Sequence, residues 1–203
     1  IGDFSGDSIS ITGATPKAGI AFRPSSSQNN PTKYVNIADG KITYCDTAIY
    51  SEGPSATSYK NEHINIFNVI TSYIQTDDIH LIRTKDVQLR SIVIHNNLIL
   101  NSTEKVHIAD SSMRTLNCNQ TNELVKIESC DFSTLYINNS ADVYLNRCSL
   151  YHCGMYKGDI AVTIEDSNLS FDLNSPIRVA TTADLANIEL IVRKTNIFKN
   201  SAN

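Results

Sequence analysis

Between Val106 and Leu169 the chain writes one pattern four times: V-H-I-A-D-S-S-M, V-K-I-E-S-C-D-F, V-Y-L-N-R-C-S-L and V-T-I-E-D-S-N-L. The copies start at Val106, Val125, Val143 and Val162, spaced 19, 18 and 19 residues apart. In each, apolar residues stand at offsets 0, 2 and 7, and a small residue (Ser111, Cys130, Cys148, Ser167) stands at offset 5. A second apolar pair follows at offsets 10 and 12 in three copies: Leu116 and Cys118, Leu135 and Ile137, Cys153 and Met155. Alternation inside such short runs is the mark of a strand with one buried face, and the runs are too brief for an amphipathic helix. Each unit is too small to bury its own apolar face, so a core forms only when units stack.

The same template extends in both directions. Val87, Leu89, Ile92 and Ile94 match it, as do Ile64, Ile66 and Val69, and Val35, Ile37, Gly40 and Ile42. Ile9, Ile11 and Ala14 begin a first copy, and Leu190, Val192, Thr195 and Ile197 make the last. The expected fold is therefore all-β: a single-stranded right-handed parallel β-helix, or solenoid, of about nine coils with three short strands per coil. One domain covers residues 1–203 and reads as a fragment of a longer chain, with loop excursions near 23–32, 52–61 and 172–186 rich in Ser, Asn, Pro and Thr. The right hand is expected because the spacing of apolar positions does not follow the hexapeptide rhythm of left-handed solenoids, and parallel crossovers favour it.

Charge and composition narrow the function classes. A net charge of −4 with scattered signs provides no basic footprint, which argues against nucleic acid. No apolar run approaches the roughly 18 residues that cross a bilayer, so membrane insertion is not expected. The five cysteines form no C-x-x-C pair, and four fall at inward offsets. They read as small buried hydrophobes rather than zinc ligands or a disulfide framework, and neither metal nor cofactor is expected.

With this rhythm the chain resembles the right-handed parallel β-helix proteins, among them phage tailspikes, pectate lyases and polygalacturonases. The likeness covers residues 9–197. It is nearer to the tailspikes, because the N-T-D and G-H-G strings of a polygalacturonase are missing while asparagine- and serine-rich coils and low glycine are present. The resemblance implies a homotrimer in a phage tail, located on the virion or otherwise extracellular, that recognises a host surface polysaccharide and in many members cuts it. A bacterial surface adhesin segment is a further alternative.

In a stack of coils, equal offsets lie one above another, so a site should lie in an outward column. Offset 1 reads Gln88, His107, Lys126, Tyr144, Thr163, and offset 3 reads Arg90, Ala109, Glu128, Asn146, Glu165. Glu128 and Glu165 fall two rungs apart, roughly 9–10 Å between backbones. Inverting glycosidases hold acid and base roughly 6.5–9.5 Å apart, so these two are the candidate catalytic pair. Tyr144, Lys126 and Asn146 are the candidate carbohydrate-binding residues, offering a flat ring and hydrogen bonds to hydroxyls. The bland account of the same column is a polar strand face kept soluble by its charges. Asp77 and Asp78, with Asp86 and His80 nearby, form a second acidic group better read as turn caps. Tyr34, Tyr44, Tyr50 and Tyr59 gather around the early coils and can serve sugars, an interface or loop packing.

Overall fold

The structure, a computed structural model, describes residues 18–22, 31–54, 60–121, 123–139, 141–171, 177–179 and 187–199. Every regular element among them is a strand. Ten strands form one parallel sheet: β1 (Ala18–Phe22), β3 (Thr47–Glu52), β5 (Asp77–Ile82), β7 (Asn97–Asn101), β9 (Ser112–Asn119), β11 (Asp131–Asn138), β13 (Ser149–Lys157), β15 (Asn168–Phe171) and β18 (Asn196–Lys199) in order, with β16 (Ile177–Val179) beside β13. Eight form the other: β2 (Lys33–Thr43), β4 (Asn61–Ser72), β6 (Thr84–Arg90), β8 (Glu104–Ala109), β10 (Val125–Glu128), β12 (Ala141–Asn146), β14 (Ile160–Glu165) and β17 (Ile188–Arg193). From β1 to β15 the chain passes from sheet to sheet at each new strand, and each sheet is ordered as the sequence is. That path is consistent with a parallel β-solenoid.

Register follows from the repeat. Val35, Ile64, Val87, Val106, Val125, Val143, Val162 and Leu190 pair each with the next along the eight-stranded sheet. A slip of one residue would turn every inward side chain to water, so the apolar alternation enforces this pairing. The expected first start, Ile9, lies outside the described residues. Inward positions of both sheets belong to one core cluster that runs from Val35 to Leu169, with residues such as Ile66, Ile108, Ile127 and Leu135 wholly buried. Leu190 and Val192 continue the inward columns but are each 38% exposed, since no described strand lies beyond β17.

The third expected run, at offsets 5 to 7, makes no sheet of its own. In the two earliest described copies it forms the ends of β2 and β4, which pair from Gly40–Val69 to Thr43–Ser72, and in the next it survives as single bridges, Ile70 to Val93 and Val93 to Ser112. In later coils it opens β9, β11 and β13, which continue unbroken into the next apolar pair. The excursion expected at 172–186 contains a strand: β16 lays Ile177 and Val179 beside Cys153 and Met155. These two supply the second apolar pair that the fourth copy lacks.

Corners are sharp because certain residues take the left-handed backbone conformation. At offset 4 this holds in all eight described coils: Asp39, Asn68, Ser91, Asp110, Ser129, Arg147, Asp166 and Lys194 have φ between 46° and 53°. Asp, Asn and Ser tolerate this region better than most side chains. Its cost is offset by hydrogen bonds between rungs. The amides of Asp110, Ser129, Arg147 and Asp166 each donate to the next coil's offset-3 carbonyl. The small residue at offset 5 then ties the turn: Ser111 Oγ donates to Ala109 O at 2.6 Å and Ser167 Oγ to Glu165 O at 2.7 Å. Cys130 and Cys148 occupy that column too, their thiols donating to the carbonyls of Glu128 and Asn146 at 3.2 and 3.3 Å.

Candidate functional site

The outer face of the eight-stranded sheet assembles as its offsets require. Gln88, His107, Lys126, Tyr144 and Thr163 are in register along one column, and Arg90, Ala109, Glu128, Asn146 and Glu165 along the next. All five sequence-expected site residues (Lys126, Glu128, Tyr144, Asn146 and Glu165) therefore share one face on three successive strands. Upstream, Asn36 and Asn65 continue the first column and Ala38 and Phe67 the second.

Glu128 is the most engaged group in this array. Its Oε2 accepts a hydrogen bond from Lys126 Nζ at 2.8 Å and lies 2.9 Å from His107 Nε2. The bond from Lys126 holds the Glu128 carboxyl below the usual carboxylate range, outweighing the opposing effect of burial, and His107 adds to the lowering. Glu128 is thus kept ionised, a form that can accept a proton and cannot deliver one. Glu165 accepts a hydrogen bond from the Tyr144 hydroxyl at 3.0 Å, and that bond raises the tyrosine's own pKa. The phenol is consequently tied to the neighbouring column.

Three coils earlier the same face carries a feature that the sequence reading did not single out. A groove of about 500 Å³ opens over β4 and β6. Amides of Asn36, Asn65 and Gln88 line one side, and Phe67, Asn68 and Arg90 the other. Asn65 Nδ2 donates to Asn36 Oδ1 at 2.8 Å, and Asn68 Nδ2 to Asp39 Oδ1 at 2.7 Å. Phe67 is 42% exposed in the middle of this amide ladder. Arg90 donates through Nε to Asp110 at 3.2 Å, while its Nη groups make no hydrogen bond among the described residues. The signal for this groove was present in the offset-1 and offset-3 columns, which beyond Gln88 and Arg90 had to be followed upstream of Val87.

The second acidic group separates into two jobs. Asp78 is wholly buried, accepting hydrogen bonds from Thr71 Oγ1 at 2.6 Å and from the Asn96 amide at 2.5 Å, as a turn cap does. Asp77 faces outward on the ten-stranded sheet, 3.6 Å from His80 Nδ1, while Asp86 lies 3.6 Å from His63 on the other sheet. Burial keeps the pKa of His80 below its ordinary value despite that carboxylate. Among the described residues no three His, Cys, Asp or Glu side chains are placed to hold a metal ion, and no helix is long and apolar enough to cross a membrane. The tyrosines expected to cluster divide as well. Tyr34 stacks on His63 and Tyr44 on Tyr73, both with ring centroids 4.9 Å apart, and Tyr50 is half-buried beside His80. Tyr59 lies outside the described residues.

All five cysteines are buried and unpaired. Burial pushes the thiols of Cys118, Cys130 and Cys153 up to about 12 and that of Cys148 to about 11, so they serve as small core residues and corner donors. Comparison with protein-family models, curated proteins and solved structures finds no match for this chain.

Proposed function

We propose that this chain is part of a right-handed parallel β-helix of about nine coils and three short strands per coil, of the phage tailspike type, that recognises a host surface polysaccharide. In this reading it works as a homotrimer on the virion, with the outer face of the eight-stranded sheet presented to the sugar. The observation that carries the proposal is the groove over β4 and β6. Planar amides in register hydrogen-bond to vicinal hydroxyls, and an exposed phenyl ring packs against the apolar face of a pyranose. Repetition of the rungs at one strand spacing gives a polymer successive equivalent contacts. The test is a glycan-binding assay with Phe67→Ala and Asn65→Ala. Each should weaken polysaccharide binding by about tenfold with the melting temperature nearly unchanged, because both side chains face outward; absence of binding by the parent chain to every polysaccharide tried would end the proposal.

Cleavage is the second reading, favoured by Glu128 and Glu165 standing in one outward column two rungs apart. The ionised Glu128 suits the base that activates water, and Glu165 the acid that protonates the leaving oxygen. Glu128→Gln and Glu165→Gln should each abolish depolymerisation and leave binding at the Phe67 groove intact. Full depolymerising activity in both variants would remove the pair from consideration.

A further inference from the structure

Taking that polysaccharide reading as its base, we infer that the Phe67 groove selects an anionic sugar residue, with Arg90 as the group that reads its charge. The chain is acidic overall, yet among the described residues Arg90 is the one charged side chain lining the groove, and no carboxylate among them lines it. Two acids at the adjoining corners are already engaged: Asp39 accepts from Asn68, and Asp110 accepts from Arg90 Nε. Only one edge of the guanidinium is used, so its Nη edge remains to form the paired hydrogen bonds that match a carboxylate or a phosphate or sulfate ester. Arg90 is 71% exposed and Asp110 48%, so their ion pair is weak and yields readily to a ligand anion.

Neighbouring groups define where the rest of the sugar lies. Phe67 is in register with Arg90 on the adjacent strand, so its ring stands one rung from the guanidinium. A pyranose lying over that ring places an exocyclic acid group within reach of the next rung. Asn65 and Gln88 are in register on the neighbouring column and present amides to the ring hydroxyls on the other side. An acidic residue thereby meets a cation, an aromatic face and two amides at once. A neutral hexose would meet all of these but leave the guanidinium edge unanswered.

The experiment measures binding of three sets of oligosaccharides by the intact chain: hexuronate tetrasaccharides of differing linkage, the same compounds with carboxyls reduced to alcohols, and tetrasaccharides of carboxyl-free sugars bearing sulfate esters. The expected result is binding of at least one anionic set, weakened about tenfold by carboxyl reduction or by Arg90→Gln and weakened further by added salt. Asp110→Asn, which frees the guanidinium, should tighten the same binding severalfold. Uronate binding without sulfate binding assigns the carboxylate, and the converse assigns the ester. Equal binding of uronates and their reduced forms, or an Arg90→Gln variant that binds as the parent does, overturns the inference and leaves polysaccharide recognition standing. Binding of none of the three sets overturns both.

Discussion

Single side chains show how differently two buried polar groups can weigh in one core. Asp78 accepts two hydrogen bonds that nothing else supplies, so Asp78→Ala strands the Thr71 hydroxyl and the Asn96 amide. Its expected cost is about 2–4 kcal/mol, read by urea denaturation. Thr84, Thr103 and Thr121 are the opposite case. Their buried hydroxyls have no partner among the described residues. Thr103→Val keeps the shape and removes an unanswered hydroxyl, so its melting temperature should equal or exceed the parent's. Glu128 carries a pH signature of its own. Its carboxyl is lowered in the folded state by Lys126 and then His107, so the stabilisation exists above the unfolded-state pKa and is lost as pH falls through the folded one. Glu128→Gln should therefore destabilise the chain at neutral pH and make progressively less difference as pH falls through the lowered folded-state pKa of Glu128, which parallel thermal melts would show. Of these partners Lys126, two residues from Glu128 on the same strand, was readable from spacing; the others were not, because those hydrogen bonds depend on which atoms meet across rungs.

Within a coil, the corner decides whether strands can stack. The alternating valines marked each strand, and the small residue at offset 5 was visible as a pattern without a reason. Its reason is the turn: Ser111, Cys130, Cys148 and Ser167 bond the corner carbonyl that precedes them. The left-handed residue beside it escaped notice because Asp, Asn, Ser, Arg and Lys all occupy offset 4, and no one residue type advertises the conformation. Arg147 has no side chain suited to φ of 53°. Arg147→Asn should stabilise by up to about 1 kcal/mol, while Arg147→Val should destabilise by about 1–2 kcal/mol, since a β-branched residue resists that region. Equilibrium unfolding of the two variants measures the difference. The merging of the second and third runs into β9, β11 and β13 was equally hidden, as nothing in the apolar rhythm says whether the backbone between two inward pairs bends or continues.

For the whole molecule, a solenoid-like stack makes stability a sum over neighbouring repeat units, so removing one complete repeat should cost little beyond its own contribution. Deleting residues 125–142 brings Val143 to the place of Val125, and the shortened chain should keep a β-type circular dichroism spectrum and a cooperative melt. Deleting nine of those residues instead breaks the register and should leave the chain unfolded. Local order alone determined a great deal here: apolar residues at fixed offsets dictate strands, inward faces and the pairing of each valine with the next, because only that stacking removes them from water. Tertiary structure decided the rest. It tied Glu128 to His107 as well as to Lys126, set Asn65 against Asn36, left Phe67 open beside Arg90, and folded Ile177 back onto the core. Outward side chains owe nothing to the apolar rhythm, and apart from pairs on one strand such as Lys126 and Glu128 their partners stand on neighbouring rungs, 21 residues away for His107 and Glu128 and 29 for Asn36 and Asn65, a proximity that exists only once the rungs are stacked.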